Sequence, residues 1–375
     1  MTMATVLTTS DLRSFKRCRR AWDFGSPSRR NLAPNGPVRP FELDSAIRAA
    51  LAVYYYPGMW TWPRAVVEPL ALNKYTESMT LQFDRHKERF GASEEDRRLF
   101  DEMHPLGEEM LRRYLGWALS VDWVDAVRVD TDFRVNPPHP DRPEDGLVHR
   151  GHAVQYAGRI DLLAVEQAEW RREGADDDTV YWIVHHRVAG ESWAELSDLV
   201  IDDRACSSLW AGQDAARVQV AGVVVNELRA DRALPDRVLS DPSALTAGAA
   251  PDPLVEAELA ARLADERIRR QTSQWCRRTW IAAEPWQILA HQQRDSEVIE
   301  EMLTDGLPMY PSPSAHNCTH CVFRAPCIAM NRGDDPGPVL EARYRERVDD
   351  LADVKEWPNQ ERRHSESHLG RWSAW

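Results

Sequence analysis

The chain has 375 residues, of which 43% are hydrophobic and 29% are charged, a composition typical of globular proteins and not of disordered or fibrous ones. It contains no apolar run of about 18 residues, so we expect no transmembrane helix and no membrane partner. The formal net charge of −13 argues against a general nucleic-acid binder. The first twenty residues lack an apolar signal core, so we expect a cytoplasmic protein.

The amino-terminal third is predicted to be helical. Residues 8–24 contain a short helix with Leu12 and Phe15 on its apolar side. A turn-rich linker follows, and apolar residues then recur at helical spacing over residues 41–56. Residues 76–120 are also predicted to be mostly helical. We therefore expect this part of the chain to contribute helices, and not strands, to the core.

Strand signals dominate the middle of the chain. Residues 125–135 alternate between polar and apolar side chains, and residues 152–166 form a second long strand or a strand pair. Residues 180–188, VYWIVHHRV, are rich in β-branched and aromatic side chains, as in a central strand. Helices are then predicted over residues 207–228 and, as one or two long helices, over residues 254–304.

These elements predict an α/β fold with a small mixed sheet flanked by helices. A flexible insertion rich in Pro, Ala and Asp is expected between the last two helical stretches. In sequence order, we divide the chain into an amino-terminal segment with its linker (1–40), a helical region (41–125), an α/β core with a helical insertion (126–305), a three-cysteine loop (306–345) and a polar tail (346–375).

Four of the six cysteines form a candidate metal centre. Cys318, Cys321 and Cys327 lie in the phrase HNCTHCVFRAPC, and Cys18 lies 300 residues earlier in FKRCRRAW. The C-x2-C-x5-C group offers three thiolates from one loop, and Cys18 supplies a fourth only if the fold brings the two ends together. In a cytoplasmic protein, cysteines without a regular framework fit metal ligation better than disulfides. Cys206 and Cys276 have no partner spacing.

The order of helices, strands, a further helix and a cysteine loop resembles the RecB-like nucleases of the PD-(D/E)xK superfamily, in the branch stapled by an iron–sulfur cluster. That branch includes CRISPR-adaptation exonucleases and phage or actinobacterial relatives. The resemblance covers most of residues 8–345, and KRCRRAW and CTHCVFRAPC are its most specific parts. It implies a restriction-endonuclease-like fold whose amino- and carboxy-terminal segments are joined by a [4Fe–4S] cluster on Cys18, Cys318, Cys321 and Cys327.

Zinc is the main alternative metal at the cysteines. His316 and His320 lie in the same loop as Cys318 and Cys321, and either imidazole could join a tetrahedral zinc site. The cysteine spacing alone leaves iron and zinc open.

The resemblance also implies a nuclease site, and here the sequence departs from the family. Such enzymes hold Mg²⁺ or Mn²⁺ with a strand-end Asp and a carboxylate on the next strand, followed two residues later by a Lys. Asp161 in GRIDLL matches the first Asp, but His185 stands at the second carboxylate and Arg187 at the Lys. Arg48 stands where an upstream helix has a His. Gln219 matches a Gln on the later helix, although the usual aromatic residue four positions on is a Val.

These replacements argue against metal-dependent cleavage. A neutral imidazole is a poor ligand for Mg²⁺, which prefers oxygen. Arg187 and Arg48 keep their positive charge near pH 7 and would repel a cation from Asp161. We therefore expect no Mg²⁺ or Mn²⁺ at this site, and a phosphate bound by arginines remains chemically reasonable. The alternative is a remodelled site for Mn²⁺, Fe²⁺ or Zn²⁺ built from Asp161 and His185 with His149 or His152.

Basic residues next to Cys18 are the best candidates for contacting DNA. Arg17, Arg19 and Arg20 flank the first proposed cluster ligand, and lysine and arginine contacts to phosphates dominate such affinity. Trp22 either stacks on a base or is a core aromatic. A second basic stretch of four arginines leaves room for a local basic groove on an acidic protein: Arg269, Arg270, Arg277 and Arg278.

Three functional hypotheses follow. The first is a catalytically inactive nuclease-fold protein that binds single-stranded or forked DNA as a scaffolding subunit of a DNA-processing or phage-associated assembly, together with a protein partner. The second is an active metal-dependent DNA exonuclease with an atypical site at Asp161 and His185. The third is a structural module that binds a protein partner through its acidic surface and does not bind nucleic acid.

Overall fold

The computed structural model describes residues 5–36, 41–59, 62–122, 124–167, 180–190, 192–230, 268–319 and 321–347. The insertion predicted at residues 233–253 and most of the polar tail lie outside these ranges. No helix in the described ranges combines the length and apolarity that crossing a membrane requires.

The described helices are α1 (Thr9–Arg17), α2 (Arg19–Gly25), α3 (Leu43–Tyr54), α4 (Arg64–Phe90), α5 (Glu94–Ala118), α6 (Leu196–Val200), α7 (Asp203–Ala216), α8 (Pro285–Met302), α9 (Ala315–Cys318), α10 (Arg324–Arg332) and α11 (Gly337–Arg343). The described strands are β1 (Val6–Thr8), β2 (Leu32–Pro34), β3 (Val124–Val135), β4 (Pro138–His139), β5 (Arg142–Gly146), β6 (Val148–His149), β7 (His152–Ala153), β8 (Gln155–Glu166), β9 (Tyr181–Ala189), β10 (Val220–Arg229), β11 (Ile268–Thr272), β12 (Cys276–Ala282) and β13 (Tyr344–Glu346).

The chain forms two compact units, each assembled from two separate stretches. The first unit consists of Met1–Arg17 and Pro37–Pro308, and the second consists of Cys18–Gly36 and Met309–Trp375. In the second unit, β2 and β13 pair in an antiparallel way, and Phe24, Phe323 and Tyr344 pack in one small core. The predicted meeting of the two cysteine segments is therefore confirmed.

The first unit contains a mixed sheet of seven strands in the order β1-β8-β9-β10-β12-β11, with β3 paired along β8. β8 runs antiparallel to both of its neighbours β3 and β9, whereas β10 runs parallel to β9 and is reached through α7. Helices α3, α4 and α5 cover one face of the sheet through a large apolar core. The predicted mixed α/β architecture is confirmed at this level.

Helix α7 and its neighbours cover the opposite face. Asp202 caps α7 by accepting a hydrogen bond from the Ala205 amide at 2.9 Å. Lys16 of α1 contacts Asp295 of α8 at 3.2 Å, and Ser207 of α7 donates a hydrogen bond to the same carboxylate at 2.6 Å. This shared carboxylate joins α1, α7 and α8 on the face of the sheet that also carries Asp161.

Two predicted helices are wrong. Residues 207–228 do not form one helix, because α7 ends at Ala216, Arg217 adopts a left-handed φ of 56° and β10 begins at Val220. The run of valines after Gly222 suits a buried strand, and short apolar runs do not distinguish the two structures by periodicity. Within residues 254–304, the described part is a β11–β12 hairpin followed by the single helix α8. The helices and strands predicted before residue 190 are confirmed.

Candidate functional site

The four proposed cluster cysteines line one cavity in the second unit. Cys18 stands at the amino-terminal end of α2, Cys318 ends α9, Cys321 follows it, and Cys327 lies in α10. All four side chains border a cavity of about 170 Å³, and none forms a disulfide. An engineered cavity of about 150 Å³ holds a benzene molecule, so this one has room for a group of several atoms.

Apart from the thiols, the wall of this cavity combines apolar residues with two arginines and three neutral polar residues, Ser312, Asn317 and Asn331. Arg20 and Arg324 contribute guanidinium groups, and among the described lining residues none is acidic. His316 is exposed and does not line the cavity, whereas His320 lies outside the described residues. A single zinc ion needs its ligand atoms at about 2.0–2.3 Å from one point. Across the described residues, no three His, Cys, Asp or Glu side chains converge in that way.

The second candidate site surrounds Asp161 on β8, at the point where β8 and β9 stop pairing. The β8–β9 ladder ends at the pair Leu162–Val184, and beyond it the His186 amide donates to Asp161 Oδ2 at 2.8 Å. Arg204 of α7 donates through Nη2 to Asp161 Oδ1 at 2.8 Å. The Asp161 side chain is only 6% exposed, so both of its oxygens are satisfied by protein groups in the interior.

His185 lies against Asp161 in a fixed tautomer. Ser208 Oγ donates its proton to the Ala205 carbonyl at 2.8 Å and lies 2.7 Å from His185 Nε2. Because the hydroxyl has one proton, His185 must donate through Nε2, and its Nδ1 then carries a lone pair. Nδ1 is buried 3.7 Å from Asp161 Oδ2, and it has no hydrogen-bond partner among the described residues.

Ionisation at this site follows from burial and the nearby arginine. Burial opposes ionisation of Asp161, but the Arg204 guanidinium favours the carboxylate, and the pKa of Asp161 is lowered. Burial, followed by Arg204, lowers the pKa of His185. Burial lowers the pKa of His186 to about 3. Near pH 7 the site therefore holds a carboxylate, two neutral imidazoles and one guanidinium.

The other residues at family positions lie away from Asp161. Arg48 forms an ion pair with Asp44 on its own helix at 3.2 Å. Gln219 is exposed in the loop before β10, and not on a helix as predicted. It lies six residues before Val225, the residue that pairs with His185, which is roughly 20 Å along a strand. The expected positioning role of Gln219 therefore has no geometric basis.

His149 and His152 do not approach the site either. They pair with each other across the short β6–β7 hairpin. Gln155, the first residue of β8, lies six residues or roughly 20 Å from Asp161 along the strand. His152 precedes Gln155 by three residues and belongs to the separate strand β7. The remodelled metal site that includes either of these histidines is not formed.

His185 and His186 alternate between the two faces of the sheet, as their adjacent positions predict. His186 stacks on Tyr55 and lies 3.2 Å from Asn226 Nδ2 through its Nδ1. Arg278 donates to Asn226 and forms an ion pair with Asp122 at 2.6 Å in the same buried network. Arg278, a member of the second basic stretch, therefore pairs with buried groups of the protein interior.

A cluster of arginines lies on the Asp161 face of the sheet, and we call it the arginine patch: Arg187, Arg229, Arg270 and Arg277 with Trp193. Three of its arginines contact one buried carboxylate or the same indole, and Arg270 Nε donates to Thr279 at 3.3 Å. Arg277 Nε donates to Glu227 at 2.7 Å, and Arg187 Nε lies 4.0 Å from Glu227. The guanidinium carbons of Arg229 and Arg277 lie 5.8 and 5.1 Å from the centre of the Trp193 ring.

Charged neighbours act on Arg270 of the arginine patch. Burial and then the charge of Arg277 lower the pKa of Arg270, whereas Glu227 and Glu195 oppose this effect. Arg187 pairs with Glu227 across the parallel strands two residues beyond His185, so the patch adjoins the Asp161 site on the same face.

The predicted DNA-contacting arginines have different environments. Arg17 is exposed at the end of α1. Arg19 lies over the Tyr310 ring at 4.7 Å. Arg20 is directed into the cysteine cavity, where its Nη1 lies 3.6 Å from Cys327 Sγ. Trp22 is 1% exposed and is a core aromatic, so it offers no surface for base stacking.

Three residues of these sites carried no sequence signal. Arg204 and Ser208 reach the Asp161 face from α7 and Trp193 reaches it from the segment before α6, and no spacing pattern connects them with GRID or WIVHHRV. Cys206 and Cys276 are buried, and burial raises the pKa of each thiol to about 12. They are core thiols, in agreement with their lack of partner spacing.

No protein-family model matches this chain, and no curated protein matches it. The resemblance to RecB-like nucleases is therefore carried by the cysteine phrases and by Asp161. Three features of the chain carry functional chemistry: the cysteine cavity, the Asp161 site and the arginine patch.

Proposed function

We propose that this chain is an iron–sulfur protein with a RecB-like nuclease fold that has lost metal-dependent cleavage and binds DNA as a scaffolding subunit of a DNA-processing or phage-associated assembly. The order of elements supports the fold: helices, three antiparallel strands, then α7 and a parallel strand. The pairing of strands also supports it. Asp161 on β8 lies beside His185 on β9, the position at which the family has its second carboxylate.

The observation that carries the loss of cleavage is the ion pair between Asp161 and Arg204. In a metal-dependent nuclease, carboxylate oxygens hold a cation that neutralises the phosphate and lowers the pKa of water. Here Arg204 satisfies Oδ1 and the His186 amide satisfies Oδ2. A guanidinium keeps its proton near pH 7, so it neutralises Asp161 without generating hydroxide.

The cysteine cavity supports the iron–sulfur cofactor. A [4Fe–4S] cluster would be held by Cys18, Cys318, Cys321 and Cys327. Its iron–thiolate bonds would link the two chain segments of the second unit. The four thiols surround a space large enough for a polynuclear group, and no described histidine lines it. Both features favour a cluster over a zinc site that includes His316.

The arginine patch supports DNA binding. Backbone affinity comes from lysine and arginine contacts to phosphates, and clustered guanidinium groups raise the local potential even on a chain with net charge −13. The Arg187 side chain is 42% exposed, so its guanidinium is accessible to a phosphate. Trp193 lies beside them and offers an aromatic face of the type on which unpaired bases stack. Single-stranded or forked DNA suits this combination.

The test combines binding and cleavage on one anaerobic preparation. Fluorescence anisotropy with labelled single-stranded and forked DNA should show salt-sensitive binding, and end-labelled DNA should stay intact with Mg²⁺ and with Mn²⁺. Iron and sulfide content should match one [4Fe–4S] cluster per chain. Zinc in place of iron would refute the cofactor. Absence of DNA affinity at low salt, with co-purification of a protein, would favour a protein-interaction module.

One observation favours the alternative of an active metal-dependent exonuclease. The His185 Nδ1 lone pair and Asp161 Oδ2 face each other at 3.7 Å, and two acceptors at this distance could share Mn²⁺ or Zn²⁺ if Arg204 moved away. Cleavage in Mn²⁺ that disappears in Asp161→Ala and in His185→Ala would establish this alternative and refute the inactive protein.

A further inference from the structure

Arg20 is held against the cysteine cavity by a set of directed contacts. Its Nη1 lies 3.6 Å from Cys327 Sγ and 2.9 Å from Asn331 Oδ1, and its Nε donates to the Met309 carbonyl at 3.3 Å. Its backbone amide donates to the Tyr310 carbonyl at 3.3 Å. The guanidinium is therefore anchored on three sides, and its position at the sulfur is set by the fold of the second unit.

The charges around the cavity strengthen the contact between Arg20 and Cys327. Four cysteine thiolates would place a large negative charge in the cavity, and no described lining residue adds another carboxylate. Arg20 and Arg324 are the charged residues in the described wall, and Arg20 is the one with a hydrogen bond to a cysteine sulfur. An N–H group from a cation gives a shorter and stronger bond to an ionised sulfur than to a neutral one.

We propose that Arg20 tunes the cluster's redox potential by donating a charge-assisted hydrogen bond to Cys327 Sγ, which stabilises the reduced cluster relative to the oxidised one. This inference rests on the proposed [4Fe–4S] cofactor. In the couple, the [4Fe–4S]²⁺ core gains one electron from an external reductant such as dithionite and becomes [4Fe–4S]⁺, with no bond broken. The added negative charge strengthens the attraction to the guanidinium, so the reduction potential rises.

The role is that of a positioning residue for a cluster ligand, and it differs from the DNA contact that the sequence predicts for Arg20. Three of the five N–H groups of the Arg20 guanidinium already donate to Cys327, Asn331 and a carbonyl, and these bonds hold it against the cavity. Replacement of Arg20 should therefore change the cluster's potential and leave the salt dependence of DNA binding unchanged.

The experiment is a dye-mediated potentiometric titration of the anaerobic full-length protein, with the reduced cluster followed by electron paramagnetic resonance. In Arg20→Gln, the ratio of reduced to oxidised cluster at a fixed potential should fall about tenfold, which is a downward shift of about 59 mV for a one-electron couple. Arg20→Lys keeps the charge without the fork and should shift less. Arg332→Gln removes an exposed charge in the same helix as Cys327 and should shift nothing.

Each other result has a defined meaning. Equal potentials in wild type, Arg20→Gln and Arg332→Gln would overturn the tuning role while leaving the proposed cofactor intact. If Arg20→Gln fails to retain iron, the potential of Arg20→Lys decides, and a potential equal to that of wild type overturns the proposal. A wild-type protein without a redox-active iron cluster would overturn both the proposed cofactor and this inference.

Discussion

Replacing Arg204 with methionine removes the cation that pairs with Asp161 and keeps an unbranched side chain at the same place. The carboxylate then keeps the His186 amide but loses the hydrogen bond of 2.8 Å from the guanidinium. If Arg204 has taken the place of a catalytic metal, it now stabilises the fold, and its replacement should reduce stability and not activity.

The exposure of the two side chains sets the expected magnitude. Asp161 is 6% exposed and Arg204 is 26% exposed, so the pair lies between a buried and a surface ion pair. Removing one partner of a buried pair costs about 3–5 kcal/mol, whereas surface pairs contribute about 0–1 kcal/mol. Because the stranded charge is the buried one, we expect Arg204→Met to lower the free energy of unfolding by about 2–3 kcal/mol.

Urea unfolding at pH 7 measures this change. Tryptophan fluorescence and far-UV circular dichroism should give coincident transitions, so that a shift in midpoint at constant slope reports stability. The matched control is Arg48→Met, which breaks an i,i+4 pair on one helix whose carboxylate, Asp44, is 39% exposed, and it should cost less than about 0.5 kcal/mol. Asp161→Asn should also destabilise, and the double variant should cost less than the sum.

The opposite pattern would contradict the structural role of this ion pair. Carboxylates kept for catalysis are often held at the expense of stability, so their replacement in a working site tends to stabilise the protein. An Asp161→Asn variant more stable than wild type, or an Arg204→Met variant equal to the Arg48→Met control, would mean that Asp161 belongs to an open, functional site.

Acid, ligand and salt perturbations test other parts of the molecule. The pKa of His186 is about 3 in the folded protein and about 6.5 when unfolded. The contribution of the neutral imidazole to the free energy of unfolding is therefore fully present above about pH 6.5 and is lost as the pH falls toward 3. In urea unfolding, the wild type should lose about 2 kcal/mol more than His186→Gln between pH 7.5 and 5. Cys321→Ser should lower the iron content of anaerobic protein, whereas Cys206→Ser, whose thiol is buried and donates to a carbonyl, should retain it; equal iron in both would contradict the ligand set. Replacing Arg187 and Arg270 with alanine should weaken DNA binding and reduce the salt slope by about one for each phosphate that the variant no longer binds, and an unchanged slope in anisotropy titrations would exclude the arginine patch.

The accuracy of the predicted elements depends on how local their signals are. Helix α3 and strand β9 were predictable because periodicity and β-branched residues act over a few positions. The stretch after Ala216 was not, because its valines suit either structure and the neighbouring strands β9 and β12 decided in favour of β10. Gln219 failed as a site residue for the same reason, since its role required a helix that the sheet does not allow.

For the candidate sites too, local sequence signals predicted single residues but not contacts between distant parts of the chain. The phrases around Asp161 and His185 predicted that two strands would bring these residues together, and they lie 3.7 Å apart. The phrases could not predict that Arg204 from α7 would occupy the carboxylate, nor that Arg20 would be directed inward while Arg17 stays exposed. Runs of like charge say nothing about direction, because adjacent residues on a helix point to different sides.

Residue chemistry and spacing were enough to identify four candidate thiol ligands, a strand-end carboxylate and the absence of its usual carboxylate and lysine partners. These are properties of side-chain type, and folding does not change them. Tertiary structure alone decided which cation reaches Asp161, which tautomer His185 adopts and how the arginines of β9, β10, β11 and β12 gather around Glu227. Each of these depends on distances between residues far apart in the chain, and such distances arise only when the packed sheet and helices fix them.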